Sequence, residues 1–228
     1  MRLTILSLIL LLACQSTTAA EKAKRLFILS GQSNMVGLKP ETTFTPTLKK
    51  LFPDDDIVVV KSAQGGQPIR RWHQAWQPPK DVADAGKIKN GDLYEVLMKA
   101  VAPAIKDQQY DSVVFVWMQG ERDAKAGWSA VYAESLQGVI QQLRDDLKRP
   151  DMRFVIGRLS DNQAGKEGWD AVREAQVKVA EADKLGGWVD TDDLNGPKDD
   201  LHYTREGYDQ LGERFAEKAA DLIQQHGS

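Results

Sequence analysis

The chain has 228 residues, of which 42% are hydrophobic and 28% are charged. This balance is that of a soluble globular protein, which excludes a disordered, fibrous or membrane-embedded chain, and the length suits one α/β domain. The formal net charge of −3 indicates no basic surface of the kind that nucleic acid binding requires.

The first twenty residues have the pattern of a secretory signal. A basic residue precedes an apolar run over residues 3–13, which is too short to span a membrane. Two routes of export are open: cleavage after Ala20, or lipid attachment at Cys14 within a segment that resembles a bacterial lipoprotein box. We therefore predict a signal peptide over residues 1–20 and an exported domain over 21–228, in the periplasm, outside the cell or lipid-anchored at a bacterial surface. Cys14 is the only cysteine, so the mature domain has neither a disulfide nor a thiol nucleophile.

From residue 25 onward, short apolar runs alternate with longer amphipathic stretches. Runs rich in β-branched residues predict five buried strands, over 25–30, 57–60, 113–118, 154–159 and 187–190. Apolar residues three and four apart predict helices over 92–106, 128–148, 168–184 and 205–225. Two stretches rich in Pro, Asp, Gly and Thr are predicted surface loops, over 40–53 and 77–91. The alternation predicts a three-layer α/β/α sandwich with a mostly parallel, five-stranded sheet.

Ser33 occupies a position typical of a nucleophile. Ligands of such sheets bind beyond the carboxyl ends of the strands, and Ser33 follows the first predicted strand in a turn opened by Gly31. The turn is not the G-x-S-x-G elbow of α/β-hydrolases, because Met35 stands where that motif has its second glycine. The alternative role for this serine is a helix N-cap.

A nucleophilic serine needs a base, and the mature chain offers three histidines. His226 lies in a polar terminal tail and His73 has no acid close in sequence. His202 lies three residues after Asp199, so in a helical turn the carboxylate would orient the imidazole and stabilise its charged form. We predict His202 as the base, against the alternative of a solvated loop histidine.

Four sequence blocks in a fixed order resemble the SGNH hydrolases. They are GQSNM at 31–35, GGQPIRRW at 65–72, QGERDA at 119–124 and DDLHYTREGYDQLGERFA at 199–216. They are most similar to the sialate O-acetylesterase and acetylxylan esterase branch, carbohydrate esterase family 6. The resemblance extends from about residue 25 to the last predicted helix. It implies an SGNH, flavodoxin-like fold and a serine esterase that removes acetyl groups from carbohydrate hydroxyls.

The same resemblance implies a catalytic triad. Ser33 would be the nucleophile, His202 the base and Asp199 the acid that positions it. The third block has a Gln-Gly-Glu sequence where the broader superfamily has asparagine, so Glu121 is either an alternative acid or a brace that bonds to backbone N–H groups. Asp199 is preferred, because proximity in sequence sets its geometry toward His202 at low entropic cost.

The resemblance also implies an oxyanion hole. Its donors would be the backbone N–H of Ser33, the N–H of Gly65 or Gly66, and the Gln119 side chain. Glycine lets the backbone approach the reacting carbon closely, and an amide side chain donates a hydrogen bond without adding a titrating charge.

Other features of the sequence are weaker indications. Trp72 and Trp128 lie beside the second and third blocks, where an aromatic face would stack on a sugar ring, although core packing is the alternative. The acidic loop over 190–200 does not match the calcium-loop template, and no zinc ligand cluster or nucleotide-binding motif is present. We therefore expect no metal, no cofactor and no nucleotide.

The predicted function is hydrolysis of small acyl esters, with an acetylated carbohydrate as substrate. One alternative is a lipase or thioesterase on the same scaffold, which would need a long apolar groove for the acyl chain. The other is a non-catalytic carbohydrate-binding surface lipoprotein, which would be expected to lack part of the catalytic machinery. Contact with a membrane is expected only through a lipid anchor at Cys14.

Overall fold

A five-stranded parallel sheet forms the centre of the protein. The computed structural model describes residues 22–80, 89–197 and 201–225; the predicted signal segment with Cys14, and Asp199, lie outside the described residues. The strands are β1 (Lys24–Gly31), β2 (Asp56–Ala63), β3 (Ser112–Met118), β4 (Arg153–Gly157) and β5 (Gly186–Val189). They lie in the order β2-β1-β3-β4-β5, and each neighbouring pair is parallel. The predicted sheet is confirmed, and its described strands are parallel throughout.

The central strands are apolar on both faces because helices cover both sides of the sheet. All seven residues of β3 and all five of β4 are buried, which explains why both strands, after a polar first residue, are continuous apolar runs rather than alternating ones. The edge strand β2 is only partly buried. The sheet therefore forms the main part of the hydrophobic core.

Seven α-helices surround the sheet within the described ranges. They are α1 (Ser33–Gly37), α2 (Phe44–Leu51), α3 (Asp92–Ile105), α4 (Glu121–Ala126), α5 (Tyr132–Leu147), α6 (Glu167–Glu181) and α7 (Arg205–Gln225). The prediction of a surface loop over 40–53 was wrong, because α2 lies within it. Phe44 and Leu48, one turn apart, are both fully buried, so tertiary packing overrides the low helix propensity of the intervening Thr and Pro residues.

Two helical layers follow from the strand order. Across the sheet, the chain steps from β1 toward one edge to form β2, and then from β2 toward the other edge through β3 and β4 to β5. Because crossovers between parallel strands are right-handed, this reversal places α2 on one face of the sheet and α3, α5 and α6 on the other. In agreement with this, α2 packs against α7, and α5 packs against α6. No helix in the part of the chain that the structure describes is long and apolar enough to cross a membrane.

The strand order 2-1-3-4-5 also places the candidate site. Because the direction of winding reverses between β1 and β3, a crevice is expected beyond the carboxyl ends of these two strands. Ser33 follows β1 and Gln119 follows β3. The fold therefore brings the first and third sequence blocks to the same edge of the sheet.

Candidate active site

The turn that carries Ser33 is held tightly against the end of β3. Gly31 has a φ of 146°, and a Cβ there would lie 1.9 Å from the Met118 carbonyl oxygen, so this position requires glycine. The Gln32 N–H donates to the same carbonyl at 2.9 Å. Ser33 begins α1 and is partly exposed, which leaves its hydroxyl accessible at the edge of the sheet.

Asn34 joins this turn to the segment that carries His202. Its side chain is 2% exposed, and its Nδ2 donates to the Leu201 carbonyl at 3.0 Å while its Oδ1 accepts from the Tyr208 hydroxyl at 3.1 Å. Asn34 directly follows Ser33, and Leu201 directly precedes His202. The structure therefore brings the predicted nucleophile and the predicted base into one site. The Ser33 hydroxyl makes no hydrogen bond to a described residue. A hydrogen bond between a catalytic serine and its histidine often becomes short and well aligned only when substrate is bound.

Replacing Asn34 with alanine is expected to lower kcat by about 10- to 100-fold and the free energy of unfolding by roughly 2–3 kcal/mol. The substitution leaves the Tyr208 hydroxyl and the Leu201 carbonyl without this partner and loosens the base relative to the nucleophile. Steady-state kinetics and urea unfolding measure the two effects. Tyr208→Phe is the matched control, since it removes only one of the bonds. Equal kcat values for the two variants would contradict the role of Asn34.

Glu121 lies under the same site. It is buried, its Oε1 accepts from Asn34 Nδ2 at 3.0 Å, and its Oε2 accepts no hydrogen bond from a described residue. Burial raises the pKa of Glu121, and hydrogen bonds from its backbone and Asn34, together with the nearby charge of His202, act in the opposite direction. The predicted alternative acid is thus close enough to His202 for the two to interact electrostatically, and it also braces the turn.

The second sequence block lies beside the nucleophile. A Cβ on Gly65 would stand 3.6 Å from the Ser33 Cβ, whereas a Cβ on Gly66 would meet nothing within 4 Å. The backbone N–H groups of Ser33, Gly65 and Gly66 donate no hydrogen bond to any described residue. Free N–H groups next to a serine hydroxyl are what an oxyanion hole requires.

The Gln119 side chain is engaged by other protein groups. It is fully buried, and its Nε2 donates to the Asp123 carboxylate, to the Gln67 carbonyl at 3.1 Å and to Gln32 Oε1 at 3.3 Å. These acceptors occupy both amide protons. Its role as a direct oxyanion donor stays a prediction, and it would require at least one of these bonds to break.

Asp123 is the second buried carboxyl of α4. Its Oδ2 accepts from the Gln119 amide and from the Ile69 N–H, the latter at 3.0 Å, while its Oδ1 has no partner among the described residues. Burial raises the pKa of Asp123 to about 7, against the effect of these hydrogen bonds and with a further contribution from Glu121. This carboxyl therefore keeps its proton to a higher pH than an exposed aspartate does.

This pKa predicts a pH-dependent stability. The ordinary value is 3.8, so between pH ~4 and ~7 the folded protein keeps a proton that the unfolded chain releases, and stability falls as pH rises through about 7. From pH 5.5 to 8.5, the loss attributable to Asp123 is about 2 kcal/mol. Urea unfolding at both pH values should show a smaller loss for Asp123→Asn than for the wild type. Parallel losses in the two proteins would refute the assignment.

The two tryptophans predicted at the substrate are packing residues in this structure. Trp72 is 1% exposed and stands edge-on to Trp117, with ring centroids 5.3 Å apart. Trp128 is 8% exposed and packs against Trp76, also at 5.3 Å, and the Arg70 guanidinium lies 4.7 Å from the Trp76 ring. Neither predicted ring presents a free face on which a sugar could stack.

The acidic segment after β5 is neutralised by arginines. The ion pairs, all between 2.6 and 2.8 Å long, are Arg158–Asp190, Arg158–Asp192, Arg173–Asp192 and Arg214–Asp193. Among the described residues, no group of three or more His, Cys, Asp or Glu side chains is arranged to hold a metal ion. These contacts fasten the loop that leads toward His202 to α6 and α7.

Sequence reasoning missed three residues of the site: Asn34, Asp123 and Tyr208. Each lies inside one of the four quoted blocks, next to or near a predicted catalytic residue. The signal that the sequence offered was a polar residue beside apolar residues within a block. Such a residue is expected to be buried, and buried polar groups almost always have hydrogen-bond partners. The identity of those partners was not readable from sequence spacing.

The chain is similar to proteins that are described as carbohydrate esterases. The model of the family described as "Carbohydrate esterase, sialic acid-specific acetylesterase" matches residues 36–221. The "Probable carbohydrate esterase At4g34215" of Arabidopsis thaliana is 27% identical over 184 residues, which are 79% of this chain and 63% of that protein. The chain thus spans less than two thirds of the length of this relative.

Two solved structures are examples of proteins that share the fold. One is the Arabidopsis thaliana protein AT4G34215, with a TM-score of 0.68 and 23% identity over 86% of this chain and 98% of that chain. The other is XAC1771, a carbohydrate acetylesterase from Xanthomonas citri, with a TM-score of 0.66 and 19% identity over 88% of this chain and 56% of that chain. At 23% and 19% sequence identity, these similarities establish a shared fold.

Proposed function

The chain belongs to the sialic acid-specific acetylesterase family of carbohydrate esterases, and from this membership we propose that it removes acetyl groups from carbohydrate hydroxyls by serine catalysis. The observation that carries the proposal is the bond between Asn34 and the Leu201 carbonyl. It supports the proposal because it links the neighbours of Ser33 and His202 in sequence, at the carboxyl end of the sheet where ligands of this fold class bind.

The proposed reaction has two steps. His202 removes the proton from Ser33 Oγ as that oxygen attacks the ester carbonyl, and the tetrahedral intermediate collapses when His202 gives the proton to the departing sugar oxygen. Water then attacks the acetyl-enzyme with His202 again as base, which releases acetate and restores the serine. In this proposal Asp199 orients the imidazole, and Glu121 braces the nucleophile turn through Asn34.

The proposed oxyanion hole is built from backbone N–H groups. We assign the N–H groups of Ser33 and Gly65 as donors because Gly65 lies close to the nucleophile: a Cβ on Gly65 would stand 3.6 Å from the Ser33 Cβ. The missing side chain lets the ester carbonyl approach the backbone, and fixed N–H donors stabilise the negative charge as it develops. Gln119 contributes by holding the Gln67 carbonyl of the same loop.

The experiment that tests this function is acetate release and acyl-chain preference. We expect kcat/KM for an aryl acetate to exceed that for the matching octanoate by at least about 10-fold. A site shaped for an acetyl group cannot bury the six extra methylenes of the octanoate, so the longer chain adds no binding energy in the transition state. Release of acetate from O-acetylated sialic acid and from acetylated xylan, measured side by side, identifies the preferred carbohydrate. Preference for the octanoate would support a lipase-type enzyme instead. Absence of any turnover would support a carbohydrate-binding protein.

A further inference from the structure

Asp123 is a buried carboxyl with no part in the proposed proton transfers. It lies in the first turn of α4 and is fully buried. Taking a carboxyl out of water is costly unless hydrogen bonds compensate, and this one accepts from two separate segments, through Ile69 N–H and Gln119 Nε2. The position of these two donors in the site indicates its role.

The first donor belongs to the loop that carries the glycines. Ile69 begins a short 3₁₀ turn, Ile69–Arg71, four residues after Gly65, and its N–H bonds to Asp123 at 3.0 Å. The Gln67 carbonyl between them accepts from Gln119 at 3.1 Å. Glycines leave this loop with high conformational freedom. These two bonds fix the part of the loop after the glycines, while the Gln64 N–H, which donates to the Gly31 carbonyl at 3.0 Å, fixes the part before them.

The second donor reaches the nucleophile turn. Gln119 Nε2, held by Asp123, also lies 3.3 Å from Gln32 Oε1. The same Gln32 oxygen accepts from the Arg122 N–H at 3.2 Å, and Gln32 directly precedes Ser33. One carboxylate thus connects both sides of the proposed oxyanion hole.

We propose that Asp123 is a positioning residue, which fixes the Gly65 loop against the Ser33 turn so that their N–H groups converge on the developing oxyanion. Such donors accelerate acyl transfer only when they are held where the charge appears. The inference rests on the proposed function, because without acyl transfer at Ser33 no oxyanion forms.

Three variants test the proposal. Asp123→Ala removes the acceptor of both donors. Asp123→Asn can place its amide oxygen at the position of Oδ2 and keep both bonds. Asp183→Ala is the matched control, because Asp183 also accepts a backbone N–H, that of Leu185 at 2.9 Å, and pairs with Arg144 at 2.7 Å, before β5 at the opposite edge of the sheet. Steady-state kcat and KM for an aryl acetate are measured at a temperature where circular dichroism shows each protein to be folded.

We expect Asp123→Ala to lower kcat by about 10²- to 10³-fold and to change KM by less than about 3-fold, since displaced oxyanion donors weaken binding of the transition state and not of the substrate. Asp123→Asn should keep kcat within about 10-fold of the wild type, and Asp183→Ala within about 3-fold. A purely structural role for Asp123 would predict no such rescue and no separation of kcat from KM.

Contrary results are distinguishable. The proposal is overturned if Asp123→Ala keeps a wild-type kcat, if Asp183→Ala loses as much, or if Asp123→Asn is as impaired as the alanine variant. If Asp123→Ala does not fold, Asp123→Ser takes its place. The same loss of kcat is expected, and it is interpreted in the same way. An inactive wild-type protein would instead overturn the proposed function, and this inference with it.

Discussion

Replacing Ser33 with alanine is expected to lower kcat for an aryl acetate by on the order of 10⁶-fold, while the fold and stability stay close to those of the wild type. Without Oγ no acetyl-enzyme can form, and the remaining site only binds and polarises the ester. Ser33 is partly exposed and its hydroxyl bonds to no described residue, so its removal costs the folded state little. A reactive phosphonate should add one adduct mass to the wild type and none to the variant.

The matched control is Ser30→Ala on the preceding strand. Ser30 is buried, and its hydroxyl donates to the Ser62 carbonyl at 2.7 Å. Its loss should cost roughly 1 kcal/mol of stability and leave kcat nearly unchanged. Activity of Ser33→Ala equal to that of the wild type would show that the reaction, if present, does not use this serine.

Replacing Asp199 with asparagine is expected to lower kcat by about 10⁴-fold, because an asparagine in this place holds the wrong tautomer of the imidazole and cannot stabilise its charged form. Glu121→Gln should lower kcat by no more than about 10-fold. Glutamine can keep the acceptor for Asn34 Nδ2 and removes only the charge. Kinetics of both variants, with Asp200→Asn as the neighbouring control, decide between the two acids.

The reverse ranking would assign the acid role to Glu121. Its electrostatic interaction with His202 makes that outcome physically reasonable, and its buried, unpartnered Oε2 would then be the atom that meets the imidazole. Comparable large losses in both variants would indicate that His202 is held by two carboxylates. In either case Asp199 would no longer be the sole partner of the base.

The central strands were predictable because each is buried on both faces. Residues 113–118 form an uninterrupted apolar run and became β3 (Ser112–Met118) with an error of one residue. Parallel pairing followed from the helices between the strands. The helix α2 was not predictable from local sequence, since Thr and Pro disfavour helix and only packing of Phe44 and Leu48 against the rest of the fold stabilises it.

For the site, local sequence was sufficient to place chemically suitable residues at the carboxyl ends of strands, because a parallel sheet gathers those ends at one edge. Ser33 after β1 and the glycines after β2 are examples. The partners within the site depended on the tertiary structure. Asn34 bonds to Leu201 across 167 residues, and Ile69 bonds to Asp123 across 54.

Burial of side chains near the site also depended on the tertiary structure. The sequence placed Trp72 and Trp128 beside the functional blocks, and the packing of neighbouring rings then covered both. Residue type and strand position are encoded locally, whereas a hydrogen-bond partner or a covered ring depends on segments that meet only when the chain folds. For this reason a candidate nucleophile and a candidate base could be predicted from the chain alone, but the Asn34 and Asp123 contacts beside them could not.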